Sequence, residues 1–148
     1  MVGGRQLSWE NIEVTSELLN DAIKFHGHLG PFLVLGLKAG LLANKILGKD
    51  CFEMKASIKT ILKPPYSCFI DGVQVATGCT IGKGNLKIEE GYPITATFIK
   101  KGKALEVKLK KETLEIIGIM HTEADSKQKA FMVINKSIDD LFNISTFP

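Results

Sequence analysis

Between Pro31 and Leu47 the chain offers water almost no foothold. Phe32, Leu33, Val34, Leu35, Leu37, Leu41, Leu42, Ile46 and Leu47 spread apolar surface around every face of a helix. Pro31 suits the first helical position, where its missing N–H is not needed. A helix of this kind must be covered on all sides. Gly, Lys and Asn interrupt its apolar runs well before the ~18 residues that a membrane span requires, so the cover has to be protein. Small residues Gly36, Ala39, Gly40 and Ala43 recur three or four apart along it. That ridge predicts close approach by another helix or by a second subunit, and hence a homodimer.

The rest of the chain has to supply the cover. With 148 residues, 45% of them hydrophobic, there is enough material for one core, and residues 1–148 read as a single domain. Thr15 and Ser16 can cap a short amphipathic helix that carries Leu18, Leu19, Ala22 and Ile23 and runs to about Lys24. His26-Gly27-His28-Leu29-Gly30-Pro31 then reads as a turn. Phe52 to Ile61 alternates with period two and predicts a strand, closed off by Pro64-Pro65. Ser67 can cap a helix over CFIDGVQVATG, in which Asp71 and Gln74 fall three apart, although the β-branched Val73 and Val75 also permit a strand. Gly78 to Gly84 is a glycine-rich loop, and Asn85 to Ile88 is a short extended piece.

Two strands, Ile94–Ile99 and Leu105–Leu109, flank a Lys-Lys-Gly-Lys turn suited to an antiparallel hairpin. A short helix is expected over Lys111–Ile117. Ala130, Phe131, Ile134, Ile138, Leu141 and Phe142 space out a closing helix over Asp125–Phe142. The expected architecture is α+β, with helices at both ends packed on a three- or four-stranded mixed or antiparallel sheet.

Charge and cysteine usage narrow the function classes. The 19 Lys and Arg against 16 Asp and Glu leave a net charge of only +3, with the lysines dispersed, which gives nucleic-acid binding little support. No segment is long enough for a membrane span, and the first ten residues lack a signal-peptide core, so a cytoplasmic protein is expected. Trp9 and the other aromatic residues form no stacking array. Cys51, Cys68 and Cys79 make no CxxC pair, which argues against a ribbon-type zinc site and a disulfide framework. Cys51 and Cys68 read as packing residues.

Three stretches could carry chemistry. In the first, His26 and His28 stand two apart where a helix begins, and imidazole is both a common metal ligand and the side chain that titrates near neutrality. The same spacing also suits one packed and one solvated histidine. The second runs from Asp71 to Asn85. Its glycines miss the phosphate-loop spacing, and Gly84 stands where a magnesium-binding hydroxyl would follow Lys83, so nucleotide hydrolysis is disfavoured. A turn with Lys83 can still cradle a carboxylate or phosphate, and Cys79 could be a reactive thiolate or a soft ligand; a plain turn over a buried cysteine fits equally. The third, His121 to Asp125, reads as a solvated loop with Asp125 capping the next helix.

Taken together, HGHLGPFLVLGLKAG and CFIDGVQVATGCTIGKGNL resemble the core domain of the E-type accessory family of formylmethanofuran dehydrogenase. The resemblance implies an α+β fold compared with the catalytic domain of glyceraldehyde-phosphate dehydrogenase, cytoplasmic and usually dimeric proteins linked to methanogenesis, and a cleft where the two segments meet. It implies a zinc or other divalent metal on His26, His28 and Cys79, with His28, Cys79 and Asp71 as reactive or orienting groups. It also implies a binding role for Gln74, Thr80, Gly82, Lys83, Gly84 and Asn85. Gly30 departs from the family pattern, which carries a cysteine there. An iron–sulfur cluster takes groups of four cysteines, so none is expected here. Two functions fit these residues: an accessory module that holds a metal, cofactor or small anion for partner oxidoreductase subunits, and a metal- or thiol-dependent enzyme acting on a small anionic substrate.

Overall fold

A computed structural model describes residues 12–148 of the chain. Trp9 and the leading segment tested for a signal peptide lie outside the described residues. Helix α1 (Ser16–His26) starts where Thr15 Oγ1 accepts from the Leu18 N–H at 3.1 Å. It ends at Gly27, whose φ of 104° is left-handed and releases the chain into a turn. Helix α2 (Pro31–Leu47) has Pro31 in its first turn, and every residue from Pro31 to Gly40 is buried. Strand β1 (Lys55–Thr60) follows, then helix α3 (Cys68–Thr77), strand β2 (Leu86–Glu90) and the hairpin β3 (Thr95–Lys100) to β4 (Lys103–Leu109). Lys101 and Gly102 both take positive φ in the hairpin turn, as a two-residue connection between right-twisted strands demands. Helices α4 (Lys111–Ile117), α5 (Glu123–Ile134) and α6 (Ile138–Leu141) lead to strand β5 (Phe142–Phe147).

The expected α+β class holds, with one strand more than the sequence offered. The sheet has five strands in the order β2-β1-β3-β4-β5, and only the β1–β2 pair is parallel. Alternation sets which face is covered: Ala56, Ile58 and Thr60 of β1 and Leu105, Val107 and Leu109 of β4 are buried. The closing helix expected over Asp125–Phe142 is instead α5, the single turn α6 and β5. Ser137 Oγ accepts from Asp140 N–H at 3.1 Å and restarts the chain, so Phe142 pairs with Leu109 in the sheet. Helical spacing ran across that break because both the helix and the strand bury apolar residues in the same core.

Helix α2 packs on α3, α5 and strands β3 and β4. Its small residues serve the α3 contact. A Cβ at Gly36 would sit 2.1 Å from the Phe69 carbonyl oxygen, and one at Gly72 only 2.2 Å from that of Leu33. A Cβ at Gly40 would sit 2.7 Å from Ala76 Cβ. The ridge is therefore filled within the chain and carries no argument for a second subunit. Lys38, buried in this helix, donates to the carbonyls of Ile134 at 2.8 Å and Lys136 at 2.5 Å, at the C-terminal end of α5 where a cation is favoured. Burial lowers its pKa to about 8.

Candidate metal centre

The positive φ of Gly27 decides where the two imidazoles go. His26 is the last residue of α1, and the left-handed step after it brings His28 back over the same side. The ring centroids lie 4.6 Å apart and tilted by 40°, with the two Nε2 atoms 3.1 Å from each other. An ionised carboxylate can only accept, so His26 donates from Nδ1 to Asp71 Oδ2, at 2.6 Å. That leaves the Nε2 lone pair of neutral His26 free, directed at His28. Asp71 is itself fixed: its Oδ1 accepts from Gln74 Nε2 at 3.3 Å, while Gln74 Oε1 accepts from the Ile81 N–H at 3.3 Å. The residues Asp71 and Gln74, three apart on α3, thus tie the histidine turn to the glycine-rich loop.

The thiol that joins this pair is Cys68. One ligand atom each from His26, His28 and Cys68 falls within 4.8 Å of the others. The sequence alone reads Cys68 as a packing residue, and it is indeed buried; what the sequence does not offer is its position in the first turn of α3, opposite the histidine turn. The signal that could have found it is its spacing of three from Asp71, which places both on one helix face. Ser67 makes no side-chain cap, contrary to expectation. The chain enters α3 through tight turns instead, with Cys68 N–H donating to the Pro65 carbonyl at 3.2 Å and Phe69 N–H to that of Tyr66 at 3.2 Å. Burial raises the Cys68 pKa, and the nearby Asp71 charge adds to the rise.

Cys79 lies elsewhere. It is fully buried, and its Sγ donates to the Met54 carbonyl at 3.4 Å. Burial pushes its pKa up as well, which makes it a poor thiolate at neutral pH. The rest of its loop is likewise self-contained. Asn85 Oδ1 accepts from Thr80 N–H at 2.9 Å, and its Nδ2 donates to the carbonyls of Cys51 at 2.7 Å and Met54 at 3.2 Å. Lys83 donates from Nζ to the Gly78 carbonyl and, at 3.2 Å, to Thr80 Oγ1. Gly82 and Gly84 are exposed, and Gly84 supplies a positive φ of 76° to the turn.

Gly30 has a physical reason. A Cβ there would approach Ser126 Oγ to 2.9 Å and His28 Cε1 to 3.5 Å. Ser126 Oγ in turn donates to the Leu29 carbonyl at 2.9 Å and fastens the histidine turn to α5.

Three donors of this kind fit a metal. Zinc held tetrahedrally at about 2.0–2.3 Å from N and S places its ligands roughly 3.3–3.8 Å apart, so the group needs to contract by about 1 Å at most. Asp71 behind His26 completes the carboxylate–histidine arrangement that fixes a ligand's tautomer and raises its basicity. Among the described residues no helix is long and apolar enough to cross a membrane.

Over 91 residues the chain is 38% identical to a protein of Archaeoglobus fulgidus named as a probable S-adenosyl-L-methionine-binding protein. The aligned part is 57% of this chain and 25% of that relative, so the chain spans about a quarter of the length of the curated relative it matches. A family model described as FmdE, molybdenum formylmethanofuran dehydrogenase operon, matches residues 25–145. That stretch holds the histidine turn, Cys68, Asp71 and the whole sheet, and the chain belongs to the FmdE family.

Proposed function

We propose that this is an FmdE-like accessory protein whose centre holds one divalent metal, zinc by its donor set, on His26, His28 and Cys68. The supporting observation is the convergence of two imidazoles and one thiol, with one ligand atom from each within 4.8 Å of the others. Three protein ligands leave a fourth position for water or a ligand, as in sites that do more than hold a fold together. When bound, the metal supplies Lewis acidity at that position.

The chain's own residues set the conditions. Asp71 keeps the His26 proton on Nδ1. Gln74 holds Asp71 in place, and Ser126 holds the turn. Glycine-loop residues Thr80, Lys83 and Asn85 act as a brace for the C-terminal end of α3. All three cysteines are free thiols, which suits a reducing cytoplasm and keeps Cys68 available as a ligand.

The operon that gives the family its description makes oxidoreductase subunits the natural partners. The relative's name makes S-adenosyl-L-methionine a ligand worth titrating. An enzymatic role for the same centre, with His28 as a base beside the metal and a small anionic substrate at the open position, is favoured by that open position alone.

The test is zinc stoichiometry and affinity by chelator competition. The wild-type protein is expected to bind one equivalent, His26→Ala and Cys68→Ala to lose it, and all three proteins to keep their circular dichroism. Tight stoichiometric zinc in the Cys68→Ala protein would overturn the reading.

A further inference from the structure

The centre does not stand on a bare surface. A cavity of about 470 Å³ opens against His28, bounded by Ile23, Leu29 and Gly27 on the histidine side and by Glu123, Lys127 and Phe131 of α5 on the other. This lies within the range of small-molecule sites. Leu29 is buried and Ile23 half-buried, while Phe131 leaves 52% of its surface exposed on the cavity wall. Gly27 adds nothing to the wall: a Cβ there would meet no atom within 4 Å, so the mouth is open beside His28.

Glu123, Lys127 and Phe131 follow one another at four-residue spacing and so share one face of α5. Glu123 and Lys127 form no ion pair with each other, although that spacing would permit one. Two opposite charges and an uncovered aromatic ring therefore line one wall of a cavity whose far side carries a candidate metal ligand.

A purely anionic occupant would meet Lys127 but face Glu123, and a purely cationic one would meet the reverse. An apolar occupant would cover Phe131 and strip water from both charges without replacing it. Only a ligand with both charges close together satisfies the wall. We infer that this cavity is the ligand pocket of the centre and takes a zwitterionic, amino-acid-type molecule with an apolar body. Its carboxylate meets Lys127, its ammonium meets Glu123, and its apolar body lies on Phe131, Leu29 and Ile23. The inference rests on the metal reading for why such a ligand should sit beside His28; the charges and the ring stand without it.

The test is calorimetric titration of L-phenylalanine, 3-phenylpropionate and phenethylamine at low salt, into metal-free and zinc-loaded protein. L-phenylalanine is expected to bind about fivefold or more tighter than either analogue, as the loss of one solvated charge pair implies. Glu123→Gln should erase its advantage over 3-phenylpropionate, and Lys127→Gln its advantage over phenethylamine. Both positions are exposed, so both variants should keep the wild-type fold by circular dichroism. No binding of any probe, equal binding of all three, or an unchanged preference in both variants would overturn the inference. If zinc fails to bind while the preference persists in metal-free protein, the metal reading falls and the pocket stands. If zinc binds and the preference is missing, the pocket falls and the metal reading stands.

Discussion

The two segments that look chemical in the sequence use their polar atoms in opposite ways. In the glycine-rich loop, Thr80, Lys83 and Asn85 bond to backbone or to one another, and the Cys79 thiol bonds to the Met54 carbonyl. Around the histidine turn, the imidazoles of His26 and His28 and the Cys68 thiol bring ligand atoms toward a common place, while supporting bonds come from behind, through Asp71 and Gln74. A cluster with unsatisfied lone pairs facing one another is poised for a ligand; a loop whose donors are all engaged is built to hold a shape. Residue types such as Gly, Cys, Lys and Asn cannot distinguish these cases. The destination of each donor can.

The largest expected effect lies beneath both regions. Gly72→Ala would drive a methyl into the α2 backbone at the point where α3 crosses it, costing about 3 kcal/mol or more in urea unfolding. Both regions should fail together, since α3 carries Cys68 at one end and the loop at the other. A loss under about 1 kcal/mol would show that the helices can separate without harm.

The next pair separates the regions. Asn85→Ala leaves buried partners unpaired and should cost about 2–3 kcal/mol, with zinc stoichiometry unchanged at temperatures where the protein stays folded. Asp71→Asn should keep most of the stability and weaken zinc by about 10- to 100-fold, because it removes the acceptor that fixes His26. If Asn85→Ala abolished zinc binding and Asp71→Asn left it untouched, the division of labour between loop and turn would be reversed.

The smallest effect uses a group from neither region. With its folded pKa near 8 and an unfolded value of 10.5, Lys38 is protonated in both states below pH 8. Between the two values the unfolded chain binds the extra proton, so stability from this residue rises as pH increases through that window. Relative to Lys38→Met, the wild-type protein should gain stability from pH 8 to 10. A constant difference across that range would mean that the two carbonyls hold the ammonium charged despite its burial.

Much of this was legible in the sequence, for physical reasons that also mark where it stopped. Lys111–Ile117 and the hairpin around Lys101-Gly102 are local structures, fixed by spacing and turn chemistry. The all-apolar character of α2 required burial, and it is buried. Strand β5 was not legible, because Phe142 is buried by a partner strand distant in the chain and its spacing continues the preceding helix. The histidines were found from their position at a helix junction, whereas Cys68 was not, because only the crossing of α2 and α3 brings it to them. Cys79 had the more suggestive neighbours in sequence and the less suggestive ones in space.

The most direct measurement is the absorption spectrum of cobalt(II)-loaded protein, in which a thiolate ligand produces sulfur-to-metal charge transfer. That band is expected in the wild-type and Cys79→Ala proteins and should disappear in Cys68→Ala. A band that survives in Cys68→Ala and vanishes in Cys79→Ala would contradict a centre built on Cys68.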